Sequence, residues 1–355
     1  MKHTFIKEIA VKRLTLPLIR PFRTALGQHD TLDNLLFNIT LSDGTKGYGE
    51  AAIATHITGE TIGDTERNLK TVGKKLIGQD SLNYQDISVF LHQTLPKNKA
   101  ALAAIEMALL DAVTKHKKMP LWNLFGPRSR ILKTDITIVI DSLEETEKSA
   151  RQYYQQGFRA FKIKVGKDPD LDIKRVFIVK KAVHKSSIII DANQGYNYKQ
   201  TLIFLKTLKK YGIYPDLIEQ PVPKNDWEGM KRLTKTCGIP ICADETVQDL
   251  RDCLAVIQEK AANVINIKLM KSGLIQGRNI AFLARSAGLR LMIGGMMESS
   301  LAMTCSAHLA AGMGCFDFVD LDTPFFLKNS KPNPYLSSNG KYDLRKVKSG
   351  IGNVI

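Results

Sequence analysis

Eight short apolar, β-branched runs recur along the later part of the chain, each followed by a segment long enough for a helix. They fall at residues 134–140, 160–165, 188–193, 217–221, 240–245, 264–269, 289–295 and 317–322. Points within neighbouring runs lie 24 to 29 residues apart. A strand–helix period repeated eight times marks parallel βα units that close into a barrel. The alternative is an open doubly wound sheet, which normally brings a glycine-rich first turn. Neither GxGxxG nor GxxxxGK followed by Ser or Thr occurs. The expected fold is α/β: a (β/α)7-8 TIM-type barrel over residues 126–324.

Residues 1–125 have a different texture and read as an α+β capping domain. Residues 35–41 are strand-like, Ser42-Asp43-Gly44-Thr45 suits a hairpin turn, and 46–51 complete the pair. Helices are expected over 61–77, 81–93 and 98–116. The last places Ala101, Ile105, Ala108 and Leu109 on one face, with Asn98 as its N-cap. Residues 325–355 carry a further hairpin signal at Asn339-Gly340 and are expected to pack back on the capping domain.

Composition narrows the function classes. The chain is 44% hydrophobic and 24% charged, which suits a globular protein with a sizeable core. The longest uncharged stretch, 299–316, holds Ser, Thr, His and Gly and lacks the apolar continuity of a membrane span. A net charge of +16 raises nucleic acid as a partner. The lysines, however, sit on helical stretches such as 174–185 and 206–210, mixed with apolar residues and without interleaved aromatics. A positive field that attracts a small anion fits equally well. The expected partner is a small molecule, with no nucleic acid and no membrane. Five cysteines, an odd number without a CxxC, point to reduced thiols in a cytoplasm. The first residues show no apolar signal-peptide region.

A closed barrel does its chemistry at the C-terminal ends of its strands. Those positions hold Lys162 and Lys164 on the second run, Asp191 and Asn193 on the third and Glu219 on the fourth. The fifth adds Asp244 and Glu245, the sixth Lys268, and the eighth Asp320 and Asp322. Asp191, Glu219 and Asp244 come from consecutive strands and are neighbours in the wall. Three converging carboxylates repel unless a cation sits between them. Oxygen-only ligands favour Mg²⁺, with Mn²⁺ as a substitute. The competing reading pairs the acids with the nearby lysines. Lys162 and Lys164, two apart, point to one side of their strand. Lys268 lies across the barrel from them, so Lys164 and Lys268 can approach a bound molecule from opposite faces. Each lysine interrupts an apolar run, where lysine is rarely buried without a purpose.

A chemistry follows from that placement. A C–H beside a carboxylate is a very weak acid, and a cation on the carboxylate oxygens offsets the charge of the resulting enediolate. A lysine desolvated near a cation is expected to have a depressed pKa and to serve as base. A second lysine on the other face can return the proton there, giving the epimer.

Taken together, these residues resemble the enolase superfamily, specifically its muconate-lactonizing subgroup. The resemblance covers nearly the whole chain. It rests on Gly47-Tyr48-Gly49-Glu50, Ala104-Ile105-Glu106-Met107-Ala108 and Lys162-Ile163-Lys164, then on Asp191-Ala192-Asn193-Gln194, Glu219-Gln220-Pro221, Ala243-Asp244-Glu245 and Asn266-Ile267-Lys268. A Lys or His base with Mg²⁺ is that superfamily's known chemistry. Its mandelate-racemase branch carries a His on the seventh strand, and 289–295 has none.

Within the subgroup the chain is most similar to dipeptide epimerases, whose best-known type acts on L-Ala-D/L-Glu. The pointer is Asp320-Leu321-Asp322, a pair that in such enzymes binds the substrate's N-terminal ammonium. The resemblance implies that Lys162 supports the substrate carboxylate or enolate, and that Thr137, Met296, Met297 and Glu298 line the dipeptide. With Ala-Glu as leading substrate, it implies recycling of murein peptides. Such barrels are commonly homo-oligomeric. The alternatives keep the metal and the lysines: o-succinylbenzoate synthesis, N-succinylamino-acid racemisation and cycloisomerisation. Asp320 and Asp322 discriminate against them, because those substrates have no free ammonium.

One departure bears on specificity. Glutamate-specific members carry an Arg shortly after a Thr-Ala-Leu run, whereas here the run is Thr24-Ala25-Leu26-Gly27. Arg20, Arg23 and Lys46 are the candidates to replace it, and a broader or more hydrophobic preference is the alternative. The histidines form no metal spacing, and Thr55-His56-Ile57-Thr58-Gly59 is placed for a lid loop over the barrel mouth.

Overall fold

Each of the eight runs is a strand in the computed structural model, which describes residues 4–126 and 130–354, the side chain of His56 excepted. The barrel strands are β5 (Ile136–Ile138), β6 (Ala160–Lys164), β7 (Ser187–Asp191), β8 (Leu217–Glu219), β9 (Ile241–Ala243), β10 (Val264–Lys268), β11 (Arg290–Gly294) and β12 (Phe318–Val319). They pair in parallel and in strict sequence order. The ends of the sheet meet where the Asp135 N–H donates to the Val319 carbonyl at 2.9 Å. The intervening helices are α5 (Leu143–Gln156), α6 (Pro169–Ala182), α7 (Tyr198–Lys210), α8 (Trp227–Thr236), α9 (Leu250–Glu259), α10 (Leu269–Ser286) and α11 (Ser300–Met313). Side-chain caps start most of them: Ser142, Asp168, Asn197, Asp226, Asp249 and Ser299 each accept from a first-turn N–H.

The N-terminal part is an antiparallel sheet of β1 (Ile6–Arg23), β2 (Gln28–Leu41) and β3 (Lys46–Ala51), followed by the short α1 (Thr55–Thr58), α2 (Ile62–Leu76), α3 (Tyr84–Thr94) and α4 (Lys99–His116). The expected turn joins β2 to β3, with Gly44 at φ 86° and the Thr45 N–H donating to Asp43 Oδ1 at 2.9 Å. The long β1 was not foreseen. Helix α4 differs from the one-faced helix expected: every residue from Ala100 to Thr114 is buried. The backbone of β3 lies directly on it. A Cβ on Gly47 would stand 2.0 Å from the Ala108 carbonyl, and one on Gly49 1.9 Å from that of Ala104. The two glycines of Gly47-Tyr48-Gly49-Glu50 thus exist for contact with the alanines of α4. Asn98 precedes α4 without capping it, since its amide joins Thr65 and Asn68, and Glu60 Oε1 instead accepts from the Ala100 N–H at 3.1 Å.

The last segment threads between both parts. Strand β13 (Lys341–Tyr342) pairs with β4 (Leu132–Lys133), Leu327 bridges to Leu18, and the Leu121 N–H donates to the Gly350 carbonyl. Among the described residues no helix is long and apolar enough to cross a membrane. All five cysteines are free.

Candidate active site

Parallel register places the strand-end residues side by side. Thr137 is opposite Lys162, Lys164 opposite Asp191, and Asp191 opposite Glu219. Asp244 follows β9 directly, and Asp320 and Asp322 follow β12. Lys164 and Lys268 stand on β6 and β10, four strands apart in the eight-stranded sheet, and line one cavity. All three lysines are buried, at 1% exposure for Lys162, 7% for Lys164 and 4% for Lys268.

The acids divide their oxygens in a regular way. Asp191 Oδ1 accepts from the Asn193 N–H at 3.0 Å, and its Oδ2 is 2.6 Å from Lys164 Nζ and 3.0 Å from Lys162 Nζ. Glu219 Oε1 accepts from Asn266 Nδ2 at 2.8 Å. Its Oε2 has no hydrogen-bond partner, although Lys162 Nζ lies 2.8 Å away as an ion pair. Asp244 Oδ1 is held by Lys271 Nζ and its Oδ2 by Lys268 Nζ, both at 2.7 Å. Each carboxylate therefore has one oxygen pinned by a neighbouring amide or by Lys271 and one turned towards Lys162, Lys164 or Lys268. A hard divalent cation fits this donor set: three carboxylates, oxygen only, each oriented from behind.

Two expectations need correction. The pKa values of Lys162 and Lys268 are raised, not depressed. Burial works against the charge on Lys268, yet Asp244 and Glu219 hold its pKa above the ordinary lysine value, and Asp191, Asp320 and Glu219 do the same for Lys162. The carboxylates are the dominant neighbours, so an ammonium ion is what they select. Against the cost of burial, Lys162 and Lys164 hold Asp191 below the usual carboxylate range, and Lys268 and Lys271 do so for Asp244. Burial and the neighbouring Asp191 push Glu219 up to about 7.

The second correction concerns how the acids gather. Among the described residues, the acids whose oxygens lie within 4.8 Å of one another are Asp135, Asp320 and Asp322, not Asp191, Glu219 and Asp244. Ammonium groups stand between the latter three. Asp320 Oδ2 takes Lys162 Nζ at 2.7 Å, and Asp322 Oδ2 takes the Thr137 N–H at 2.6 Å. Asp135 has neither oxygen hydrogen-bonded, and burial beside Asp320 and Asp322 raises its pKa well above the ordinary value.

The cavity opens between the two parts of the chain. Thr137, Met296, Met297, Asp320 and Asp322 line it with the three lysines. Glu298 does not: it is fully buried, and its Oε1 accepts from the Met296 N–H at 2.7 Å. The N-terminal part contributes Phe22, Leu26, Gly27, His29, Ile53 and Ile57. None of the candidates to replace an arginine lines the cavity. Arg20 is bound to Ser149 and Tyr153, Arg23 to Gln28 and Asp141, and Lys46 is exposed at the start of β3. The side chain of His56 lies outside the described residues.

Comparison with known proteins agrees with this layout. Residues 7–126 match the Mandelate racemase / muconate lactonizing enzyme N-terminal domain, and 145–355 match the Enolase C-terminal domain-like family. The chain belongs to the mandelate racemase/muconate lactonizing enzyme family of the enolase superfamily. One relative in that family is the hydrophobic dipeptide epimerase of Citrifermentans bemidjiense, 44% identical over 98% of this chain and 97% of its own. Another is the L-Ala-D/L-Glu epimerase of Bacillus subtilis, 36% identical over 98% and 96%. The solved dipeptide epimerase of Enterococcus faecalis, complexed with Mg and L-Leu-L-Tyr, superposes with a TM-score of 0.94 at 32% identity, covering 98% of this chain and 99% of that one.

Three members of the polar network escaped sequence reasoning: Lys271, Asn266 in its clamping role, and Asp135. The signal for Lys271 was present, a fourth lysine inside an apolar run and three residues beyond Lys268.

Proposed function

We propose that this chain is a Mg²⁺-dependent dipeptide epimerase that inverts the α-carbon of the C-terminal residue. The observation that carries this reading is the pair Lys164 and Lys268, buried on strands four apart and facing one cavity. Asp191, Glu219 and Asp244 would hold the metal, and Mn²⁺ suits the same oxygens. Bound there, the cation supplies positive charge to the substrate carboxylate as its α-proton becomes acidic. One lysine, as the neutral amine, would take that proton from one face and become an ammonium, while the other, starting as the ammonium, would give its proton to the opposite face. Lys162, among Asp191, Glu219 and Asp320, supplies positive charge to the carboxylate or enolate. Asp320 and Asp322 offer carboxylate oxygens to the substrate's ammonium, whose charge would favour the ionised form of Asp322 that burial and Asp320 otherwise push up to about 7, and Thr137, Met296 and Met297 lie against the dipeptide.

The lining also supports a finer reading. Beside Thr24, Gly27 and His29, the N-terminal part of the wall is Phe22, Leu26, Ile53, Ala54 and Ile57, mostly apolar and, among the described residues, without Arg or Lys. Such a wall favours an apolar C-terminal side chain over glutamate, because burying a carboxylate without a charged partner costs far more than burying an apolar group. The free thiols suit a reducing cytoplasm.

Proton NMR in D₂O with Mg²⁺ and a set of L-Ala-L-Xaa dipeptides tests the proposal. The expected result is loss of the C-terminal residue's α-proton signal and appearance of the L,D diastereomer, faster for Leu, Met or Phe than for Glu. Lys164→Ala and Lys268→Ala should each abolish inversion. Absence of exchange with every dipeptide, or inversion retained by either variant, would overturn it.

A further inference from the structure

Lys271 is 2% exposed, does not line the cavity, and has no part in the chemistry proposed above. A lysine is almost never buried this deeply without a partner for its charge. Its Nζ reaches three acceptors: Asp244 Oδ1 at 2.7 Å, the Asp244 carbonyl at 2.6 Å and the Asn266 carbonyl at 3.0 Å. An ammonium has three donors, so this one is fully used. Lys271 touches one acid of the set through both its side chain and its backbone. It also ties down Asn266, whose amide holds Glu219 Oε1 at 2.8 Å.

The local backbone fixes this lysine in place. Lys271 lies in the turn between β10 and the main body of α10, which a non-helical Gly273 at φ 73° interrupts. Beyond that glycine, the Leu274 and Ile275 N–H groups donate to Glu106 Oε2 at 2.6 and 3.0 Å. The turn is thus clamped at both ends, by Asp244 below and by Glu106 of α4 behind.

We propose that Lys271 is a positioning residue for the metal site. It holds Asp244 Oδ1 so that Oδ2 alone turns inward. The inference rests on the reading of Asp191, Glu219 and Asp244 as metal ligands. Removing the ammonium is expected to weaken the metal by roughly 10- to 100-fold, the usual effect of losing a residue that orients a ligand.

The test uses the purified full-length protein and Mn²⁺ as probe, with free ion measured by electron paramagnetic resonance. Wild type, Lys271→Met and Asp244→Asn are titrated, and melting temperatures are recorded beside them. Lys271→Met keeps the packing volume and removes the charge. The expected result is a Mn²⁺ Kd raised at least tenfold in Lys271→Met, with turnover restored by excess Mg²⁺ and the dipeptide KM at saturating metal unchanged. A folded Lys271→Met with a Kd within twofold of wild type, even with a lowered melting temperature, overturns the inference: the lysine would then serve packing alone. Should Lys271→Met not fold, Lys271→Gln is judged by the same Kd criterion. If Asp244→Asn binds Mn²⁺ as tightly as wild type, the metal reading itself fails, and this inference with it.

Discussion

At the scale of single residues, Gly27 and Glu298 carry the sharpest consequences. Gly27 lines the cavity, to which the described residues of the N-terminal part contribute no Arg or Lys. Gly27→Arg should swing preference towards L-Ala-L-Glu. The ratio of kcat/KM for L-Ala-L-Glu to that for L-Ala-L-Leu should rise at least tenfold, about 1.4 kcal/mol of discrimination; an unchanged ratio would show that the glutamyl side chain binds elsewhere. Glu298 is a buried acid without a cation in contact, and burial pushes its pKa from 4.5 up to about 8. Between those values the folded chain holds a proton that the unfolded chain has lost. Its contribution to stability therefore falls as pH rises, fully lost above the folded value. Urea unfolding at pH 6 and pH 8.5 should show wild type losing stability from this group, and Glu298→Gln losing about 2 kcal/mol less. Equal losses would mean that Glu298 is already ionised in the fold. The strand-end acids and lysines were legible in the sequence because a charged residue inside an apolar run announces itself. Asp135 was not, because it precedes its strand and its neighbours Asp320 and Asp322 follow β12, nearly two hundred residues away. The displacement of Glu298 from the lining was equally hidden: adjacent residues on a loop have no fixed direction, and the Met296 N–H turns this one inward.

Among elements, the loops that follow β6 and β7 are bound to each other more tightly than any side chain could allow. A Cβ on Gly195 would lie 2.3 Å from the Gly166 carbonyl oxygen, with Gly166 itself at φ 109°. Between them the chain holds Asn193 at φ 41° and Gln194 at φ 68°, left-handed conformations that cost non-glycine residues on the order of 1–3 kcal/mol. Gln220, at φ 34°, accepts from the Asp244 and Thr246 N–H groups and so ties the loop after β8 to the loop after β9. The strain is sustained because each loop is held by the next. Gly195→Ala should force the β6 and β7 loops apart, lowering stability by about 1–3 kcal/mol. Because Lys164 ends β6 just before one loop and Asn193 rides on the other, kcat should fall by more than the loss of folded protein explains. Thermal melting and turnover on the same sample separate the two, and an unchanged kcat per folded molecule would show that the loops tolerate the shift. The barrel elements were readable because each strand is a short, nearly continuous apolar run buried on both faces. Strand β1 was not, since it buries only Ile6 and Leu18 along its length and takes its order from pairing with β2. Helix α4 misled in the opposite sense. Its alanines allow close approach on every side, so one apolar face was a subset of what is buried.

Across the whole molecule, the cavity depends on how firmly the N-terminal part is seated, and two buried carboxylates do the seating. Glu50 of β3 accepts from the Ser299 N–H at 2.9 Å and from Asn34 Nδ2 at 2.7 Å, while Asn34 Nδ2 also reaches the Met297 carbonyl at 2.9 Å. Glu106 of α4 accepts from Leu274 and Ile275, and its other oxygen from Ser88 Oγ at 2.5 Å. Each carboxylate thus sits at the start of a barrel helix, where unpaired N–H groups and the helix dipole favour negative charge. One anchors the loop that carries Met296 and Met297, the other the turn behind Lys268 and Lys271. The second anchor is the more demanding, because among the described residues Glu106 alone accepts from the Leu274 and Ile275 N–H groups after Gly273. Replacing Glu106 by Ala leaves two buried N–H groups without an acceptor, at about 1–3 kcal/mol each. The effect should be local before it is global. Hydrogen exchange followed by mass spectrometry should show faster exchange over residues 269–280, with strands β5 to β8 still protected. Turnover should fall at the same time, since the loosened turn follows Lys268 directly and carries Lys271. If 269–280 exchanges as slowly as in wild type, the helix is held by barrel packing alone, and the N-terminal part covers the cavity without shaping it.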